Sequence, residues 1–410
     1  MKHLQSVHAG FLPLIDASVL IVASELGFDR QEGVQFVLHK ESSWANIRDR
    51  LSVGHFQVAH CLAALPIAAA LGAAPLKLEL IVPMSLGFGG NAVTFSNDLA
   101  ASLHAQMSFK NEGSLEARGV GEAFARIIRQ RRAQGQRKLV LGVVHPHSGH
   151  NYDLRYWLAA LGVNPDEDLS IVVVPPPLMP DALESGRVDG FCVGEPWNSV
   201  AMAKGQGEIV TSKSAIWKTG PEKVLAVAKS LNEAEPETVR ALVRALFVAA
   251  SWCADKRNTE KLSHLLAKKR YLGWPAALIR KGLEGKFQTP SGRNISQPDF
   301  FVPFAGAATQ PRAAHALWLY SQMVRWGQAS WDKDRMDTVT HVYRPDIYQD
   351  AISSMQHPSE MEGGQNDAIL SGFFDGAFFD PARVEDYLRG QMAGRVWDVG
   401  EDIRSIYRHG

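Results

Sequence analysis

Apolar and polar residues alternate along the start of the chain in a pattern typical of strands followed by helices. Short runs with the composition of β-strands predict strands at 4–11, 34–40 and 56–59. The amphipathic segments between and after them predict helices at 16–26, 44–53 and 61–71. Strands that alternate with helices in this way predict parallel sheets flanked by helices.

The same rhythm returns after a linker. Further strands are predicted at 138–144, 169–174 and 190–193. Further helices are predicted at 151–161 and 178–185. Two such units in tandem indicate an α/β protein with two lobes that face a cleft, and the chain is expected to cross between the lobes at 86–96 and 201–211.

This pattern predicts a division of the chain into two lobes and an extension. Lobe one is expected to comprise residues 1–97 and 212–345, and lobe two residues 98–211. Residues 346–410 are expected to form a C-terminal extension packed on the lobes. Phenylalanines at 373, 374, 378 and 379 predict either packing of that extension or a surface for a partner.

The charges of the chain are balanced, because 43 Lys and Arg residues face 43 Asp and Glu residues. A neutral chain has no global field to recruit nucleic acid or an anionic membrane. Any bound anion must therefore be held by local groups. Cys61, Cys192 and Cys253 are odd in number and lie in apolar surroundings, which favours buried reduced thiols over disulfides or a zinc site.

The apolar runs are too short for a membrane span. The run 62–76 is among the longest and contains two prolines. The first nine residues lack the apolar core of a secretory signal. The sequence therefore predicts a cytoplasmic protein.

Several hydrogen-bond donors fall at junctions between predicted elements, where open α/β sheets present ligands. Trp44 begins a predicted helix, Asn91 follows the glycine Gly90, His150 precedes a helix, and Lys223 follows a loop. Indole, amide, imidazole and ammonium groups are the donors that a small oxyanion needs. Each residue also has a structural explanation: a core tryptophan, a turn amide, a solvated histidine and a surface lysine.

Other chemistry is less well supported at these positions. His145, His147 and His150 invite a metal hypothesis, but no Glu or Cys completes a ligand pattern. Ser148, His150 and Asp153 lie close in sequence, but no nucleophile elbow supports a catalytic triad. No nucleotide-binding loop is present either. The sequence therefore predicts a binding protein and not an enzyme, with no metal and no catalytic residue.

Glu195 follows the apolar strand predicted at 190–193. A carboxylate that faced an anion would repel it, so Glu195 is expected either to orient a donor such as a lysine or to close the lobes. Gly90 and Gly149 are expected to let the backbone approach the ligand. Within this set, Lys223 is the only residue expected to supply a fixed positive charge.

Four segments, 43–49, 149–158, 191–197 and 217–223, resemble the nitrate- and bicarbonate-binding proteins of bacterial ABC uptake systems. The resemblance covers roughly residues 8 to 345. It implies a two-lobed, periplasmic-binding-protein-like fold of type II, in which each lobe is a β-sheet flanked by helices and the ligand lies in the interlobe cleft. It also implies that the ligand-binding positions are Trp44, Asn91, His150 and Lys223.

Two of these positions bear on selectivity. The resemblance implies a glutamine where this chain has Asn91, and the shorter amide would enlarge the site or admit a water. Bicarbonate-binding relatives carry an acidic residue in place of Lys223 and recruit calcium. The lysine therefore favours nitrate or nitrite as the ligand, with no metal and no cofactor.

Within that family, the chain resembles a soluble branch, the NasS-type nitrate/nitrite sensors. This implies a partner, a NasT-like antiterminator of the ANTAR class, which is released when the ligand fills the cleft. Contact with RNA would then belong to the partner, and this chain would bind neither nucleic acid nor a membrane. The alternative is the substrate-binding protein of a nitrate ABC transporter; an enzyme on the same scaffold is a further rival.

Overall fold

The computed structural model describes residues 4–107, 115–290, 292–353, 355 and 369–392. The strands are β1 Gln5–Phe11, β2 Val34–Lys40, β3 Val58–Leu62, β4 Leu80–Ser85, β5 Phe88–Gly89, β6 Asn91–Ser96, β7 Leu139–Val143, β8 Leu169–Val173, β9 Gly190–Gly194, β10 Gly207–Ser212, β11 Lys223–Ala228, β12 Lys286–Gln288, β13 Asn294–Ser296 and β14 Phe301–Val302. The helices are α1 Ser18–Glu25, α2 Phe28–Gln31, α3 Trp44–Ser52, α4 Leu65–Ala70, α5 Asn97–Gln106, α6 Ala117–Ala133, α7 Gly149–Ala160, α8 Met179–Glu184, α9 Trp197–Ala203, α10 Lys213–Ile216, α11 Lys229–Ala234, α12 Pro236–Ala254, α13 Thr259–Leu266, α14 Ala276–Glu284, α15 Ala313–Arg325, α16 Lys333–Val342, α17 Pro345–Ile352 and α18 Val384–Met392.

Two five-stranded sheets form the centres of the two lobes. The first sheet has the order β2-β1-β3-β11-β4, and the second has the order β10-β6-β9-β7-β8. In the first, β1 runs parallel to β2 and β3, whereas β11 runs antiparallel to both β3 and β4. In the second, β7 runs parallel to β8 and β9, whereas β6 runs antiparallel to both β9 and β10.

Both sheets therefore contain parallel and antiparallel pairs of strands, and the prediction of parallel sheets is wrong for β6 and β11. The antiparallel strands β6 and β11 are the ones that the chain enters after crossing from the other lobe. The sequence pattern assigned residues 91–96 to the first crossing and counted them in lobe one. In the structure they form β6 of the second sheet. Asn91 pairs with Gly194, a partner too distant along the chain for a local pattern to reveal.

This arrangement positions the ligand-binding candidates. Asn91 is the first residue of β6 and pairs with Gly194, the last residue of β9. Lys223 is the first residue of β11 and pairs with Leu62, the last residue of β3. β6 is antiparallel to β9, and β11 is antiparallel to β3. Their first residues therefore lie at the carboxyl ends of these neighbouring strands, where α/β sheets bind ligands.

The first crossing between the lobes is tightly packed. Gly89 has φ +73°, and a Cβ atom there would lie 2.2 Å from the carbonyl oxygen of Phe300. The backbone N–H of Gly90 donates to the same oxygen at 2.6 Å. β5 also pairs with β14. Only glycine fits this conformation and this distance.

The C-terminal third joins the two lobes. α15 contacts α7 of the second lobe and α16, and α16 contacts α4 and β4 of the first lobe. Within the predicted extension 346–410, α18 contacts α15, and the ring of Phe373 stacks on Trp217 with a centroid distance of 4.6 Å. Phe378 is exposed. The parts of that extension at 354, 356–368 and 393–410 lie outside the described residues.

The three cysteines are buried and have free thiols, as the sequence predicts. Burial raises the pKa of Cys61 and of Cys253 to about 12, so both stay protonated at neutral pH. Within the described ranges, no helix combines the length and the apolar character that a bilayer span requires.

Candidate functional site

Two of the predicted donors begin helices that follow the carboxyl ends of parallel strands. Trp44 is the first residue of α3, whose N-cap Ser43 accepts from the N–H of Asn46. His150 is the second residue of α7, whose N-cap Ser148 accepts from the N–H of Asn151. Capping fixes the start of each helix, and both donors lie within the first turn that the cap stabilises.

All four predicted ligand-binding residues lie together and are buried. Lys223 Nζ and His150 Nδ1 each lie 3.0 Å from one oxygen of the Glu222 carboxylate. Asn91 Nδ2 donates to the other oxygen at 3.2 Å. Lys223 Nζ also lies 5.3 Å from the centre of the Trp44 ring, within reach of a cation–π interaction.

The site contains charged residues that the sequence did not single out. Asp16 lies 3.0 Å from Lys223 Nζ and 2.8 Å from His60 Nε2. Lys213 forms ion pairs with Asp153 and, at 3.4 Å, with Glu222. The sequence predicted that Lys223 would be the only fixed positive charge. Lys213 is equally buried and supplies a second one.

The positive charges of the site control its carboxylates. Burial alone would raise the pKa of Glu222, but the hydrogen bond from His150 and the charges of Lys223 and Lys213 outweigh burial and hold that pKa well below its usual range. Burial likewise opposes the charge of Lys223, yet Asp16 and Glu222 raise its pKa. Both side chains therefore stay ionised at neutral pH.

The remaining titratable groups set the total charge. Burial raises the pKa of Asp153 to about 6, so this carboxylate is also mainly ionised at pH 7. Burial lowers the pKa of His150 despite the opposing effect of Glu222, so its ring is neutral. Two lysines then face three carboxylates, and the cluster carries one net negative charge.

Among the four predicted residues, the indole Nε1 of Trp44 is a buried donor without an acceptor in the described part of the chain. The neutral His150 ring carries a single N–H, and its Nδ1 lies 3.0 Å from the Glu222 carboxylate. A buried polar group without a partner costs about 1–3 kcal/mol. Added acceptor oxygens would remove this cost, so the site is suited chemically to a small oxyanion.

The three predicted supporting residues have different surroundings. A Cβ atom at Gly149 would lie 2.4 Å from a Glu222 oxygen, and one at Gly90 would lie 3.3 Å from Phe301. The Glu195 carboxylate accepts from the N–H of Ser199. Glu195 thus orients neither lysine of the site.

Glu195 instead lies where the second lobe meets α14. A Cβ atom at Gly282 of α14 would lie 3.0 Å from Glu195 Cγ. The Glu195 carbonyl oxygen accepts from the N–H of Ile15 in the first lobe. Burial raises the pKa of its carboxyl group to about 7. This position fits the alternative expectation, that Glu195 acts in closing the lobes.

The three neighbouring histidines do not form a metal site. His147 Nδ1 lies 3.1 Å from the hydroxyl of Tyr152, and the N–H of His147 donates to His145 Nδ1. Among the residues that the structure describes, no group of three His, Cys, Asp or Glu side chains could hold a metal ion.

The fold and the cleft define a class, the two-lobed α/β proteins of periplasmic-binding-protein-like fold. This chain is similar to a solved structure of the periplasmic nitrate-binding protein NrtA from Synechocystis PCC 6803, with a TM-score of 0.84 and 26% sequence identity. The match covers 95% of this chain and 98% of the NrtA chain. The chain belongs to the NMT1-like family, whose model matches residues 2–267.

Two characterised relatives extend this likeness over nearly the whole chain. The nitrate/nitrite binding protein NrtA of Synechococcus elongatus is 29% identical over 395 residues, which cover 94% of this chain and 86% of that protein. The nitrate import ATP-binding protein NrtC of Synechocystis is 32% identical over 384 residues, 93% of this chain. The match spans only 54% of NrtC, so about half of that relative has no counterpart here.

Proposed function

We propose that this protein is a receptor for nitrate or nitrite, which bind in the cleft between the lobes. The observation that carries the proposal is the convergence of Trp44, Asn91, His150 and Lys223, which lie on four different elements, on one buried point. All four present donors suited to a planar oxyanion. The likeness to nitrate/nitrite binding proteins supports this choice of ligand.

The size of the ligand limits its affinity. A four-atom anion at about 1.5 kcal/mol per heavy atom gains about 6 kcal/mol, which corresponds to a Kd of tens of micromolar. Tighter binding requires charge-assisted hydrogen bonds of about 1.5–3 kcal/mol each, made in a closed cleft. We therefore expect micromolar affinity for an anion held between closed lobes.

Calorimetric titration of the purified protein with nitrate, nitrite, bicarbonate and sulfate tests the proposal. Trp44→Phe removes a donor that has no partner in the structure, so we expect weaker nitrate binding, by about 10- to 100-fold, in a folded protein. Trp157→Phe is the matched control, because its indole is already bonded to the Ala117 carbonyl oxygen. Absence of nitrate and nitrite binding by the wild type would refute the proposal.

We further propose a role as a cytoplasmic sensor that controls a NasT-like antiterminator by ligand-dependent release. The four segments support the nitrate- and bicarbonate-binding family, and the sensor role is a proposal that goes beyond that resemblance. If the ligand and the partner prefer different lobe arrangements, linkage requires each to weaken the other by the same factor. Calorimetry of nitrate with and without the partner measures this factor, and an unchanged nitrate affinity would contradict the sensor.

The transport receptor is the second candidate, because the NrtA relatives match this chain over most of their length. A transport receptor works outside the inner membrane and delivers nitrate to a permease. Fractionation of the native cells separates the two roles. Protein in the cytoplasm together with the antiterminator supports the sensor, and protein in the periplasm supports transport.

A further inference from the structure

The Glu222 carboxylate occupies the centre of the donor set. Its two oxygens lie 3.0 Å from Lys223 Nζ, 3.0 Å from His150 Nδ1, 3.2 Å from Asn91 Nδ2 and 3.4 Å from Lys213 Nζ. Asn91, His150 and Lys213 belong to elements of the second lobe, whereas Glu222 directly precedes β11 of the first lobe. One side chain thus joins the two lobes through several charged or polar contacts.

A carboxylate has the same chemistry as the proposed ligand. Its two oxygens share one negative charge in a plane, as the oxygens of nitrite or nitrate do. The donors that contact Glu222 include three of the four residues proposed to bind the anion. Each donated hydrogen can be directed fully at only one acceptor, so a free oxyanion and Glu222 compete for the same donors.

The charge of the cluster favours exchange over addition. The cluster carries one net negative charge, because Lys213 and Lys223 face Asp16, Glu222 and Asp153. An anion added to it would create a second uncompensated buried charge, which is strongly unfavourable. If the Glu222 carboxylate leaves as the anion enters, the net charge stays the same.

The backbone of the second lobe is shaped to receive this side chain. A Cβ atom at Gly149 would lie 2.4 Å from a Glu222 oxygen, closer than any contact that a methyl group tolerates. Gly149 begins α7, a helix of twelve residues, so the carboxylate also lies at the positive end of the helix dipole. Contact with the first lobe therefore depends on the absence of a side chain at 149.

We propose that Glu222 is a tethered occupant of the anion site, which closes the lobes of the ligand-free protein and is displaced by the entering anion. The inference rests on the proposed function for the identity of that anion. Trp44 favours binding of the free anion over the Glu222 carboxylate, because the indole N–H has no acceptor while Glu222 fills the site. A free anion that reaches this donor makes one bond that the tethered carboxylate does not.

Two readouts test the proposal, namely small-angle X-ray scattering of the ligand-free protein and calorimetric titration with nitrate. The wild type is expected to keep the same radius of gyration with and without nitrate. Glu222→Gln is expected to expand without ligand, to contract when nitrate is added, and to bind nitrate at least about tenfold more tightly, as one competing charge-assisted bond predicts. Glu41→Gln is the matched control, since the Glu41 side chain is also buried and contacts Asn46 and Arg50 of its own lobe.

Gly149→Ala provides a second variant, because it displaces the carboxylate without removing a charge. It too is expected to expand without ligand, even if Glu222→Gln fails to fold. An expanded ligand-free wild type, or a compact ligand-free form of both variants, overturns the proposal. If both variants are expanded without ligand but neither binds nitrate, the proposed ligand fails and the tethered carboxylate stands; if both bind nitrate but are already compact without it, the tethered carboxylate fails and the proposed ligand stands.

Discussion

Two regions join the lobes, and they use opposite chemistry. In the cleft the lobes meet at the buried Glu222 carboxylate, through its contacts with Lys213, His150 and Asn91 of the second lobe. Beside the second lobe, the C-terminal third that joins the lobes is held through rings: Trp217 lies 4.4 Å from Trp318 and 4.6 Å from Phe373, measured between ring centres. A ligand with charge and acceptor oxygens can replace a contact between ions. It cannot replace a contact between rings, so we expect the aromatic region to stay intact while the cleft changes.

The largest effect is expected when the ionic region loses a charge. Lys223→Ala leaves Asp16 and Glu222 without their shared cation, and loss of one partner from a buried ion pair costs about 3–5 kcal/mol. We expect a lower free energy of unfolding and no measurable nitrate binding. Urea unfolding and calorimetry measure the two effects. Lys229→Ala, at an exposed lysine that directly follows the same strand, is the control; nitrate binding retained by Lys223→Ala would remove this lysine from the site.

A comparable loss of stability without loss of binding is expected from the aromatic region. Trp318 is buried against Trp217 and Phe373, and truncation of a buried tryptophan to alanine costs about 3–5 kcal/mol. We expect Trp318→Ala to unfold at lower urea concentration but to bind nitrate within tenfold of the wild type. Trp252→Ala, at a half-buried residue of α12, should cost less. A large loss of affinity in Trp318→Ala would show that the two regions are coupled.

Glu195 links ionisation to the contact between the lobes. Its pKa rises from its usual 4.5 to about 7 in the folded protein, so the folded state binds the proton more tightly than the unfolded chain. Stability should therefore fall as the pH rises from about 4.5 to about 7, by about 3 kcal/mol in total. Glu195→Gln removes the ionisable group and therefore this loss of stability. We expect it to raise the melting temperature at pH 8 and to change little at pH 4, and equal shifts at both values would contradict the assignment.

The smallest effect is expected at the polar edge of the aromatic region. The Tyr156 hydroxyl donates to the Asp375 carboxylate at 2.9 Å, and a hydrogen bond to a charged group contributes about 1.5–3 kcal/mol. Asp375 is half-buried, so Tyr156→Phe should cost about 1.5 kcal/mol, at the low end of that range. Chemical denaturation measures the loss, and nitrate affinity should not change. Asp375→Asn tests the same bond from the other side and should give a similar value.

The fold could be predicted from the sequence where local signals are strong. The predicted strand 34–40 matches β2, and the predicted helix 44–53 differs from α3 by one residue. The strand predicted at 56–59 is wrong in its bounds, because β3 extends to Leu62 and the apolar run that follows was assigned to a helix. Pro66 at the start of α4 was the available signal for the later helix start.

The site was predicted only in part, for a physical reason. The resemblance supplied Trp44, Asn91, His150 and Lys223, and the structure brings all four together. Asp16 was missed because it pairs with Lys223, which lies far away along the chain, and no local pattern predicts such a contact. Glu222 lay beside Lys223 in a segment already compared with relatives, but its contacts with Asn91 and His150 of the second lobe join residues that are distant along the chain. Only the three-dimensional contacts show that it uses the same donors.

The first crossing between the lobes has a consequence for chain length. Gly89 lies against the Phe300 carbonyl oxygen with no space for a side chain, Gly90 donates its N–H to the same oxygen, and Asn91 follows at once as the first residue of β6. A connection held this closely cannot absorb an extra residue as a loop. An insertion would have to slip β6, and a slip of one residue turns every side chain of a strand to the opposite face. The length of this connection is therefore part of the specificity of the site, and lobes exchanged between relatives should be joined without adding or removing residues here.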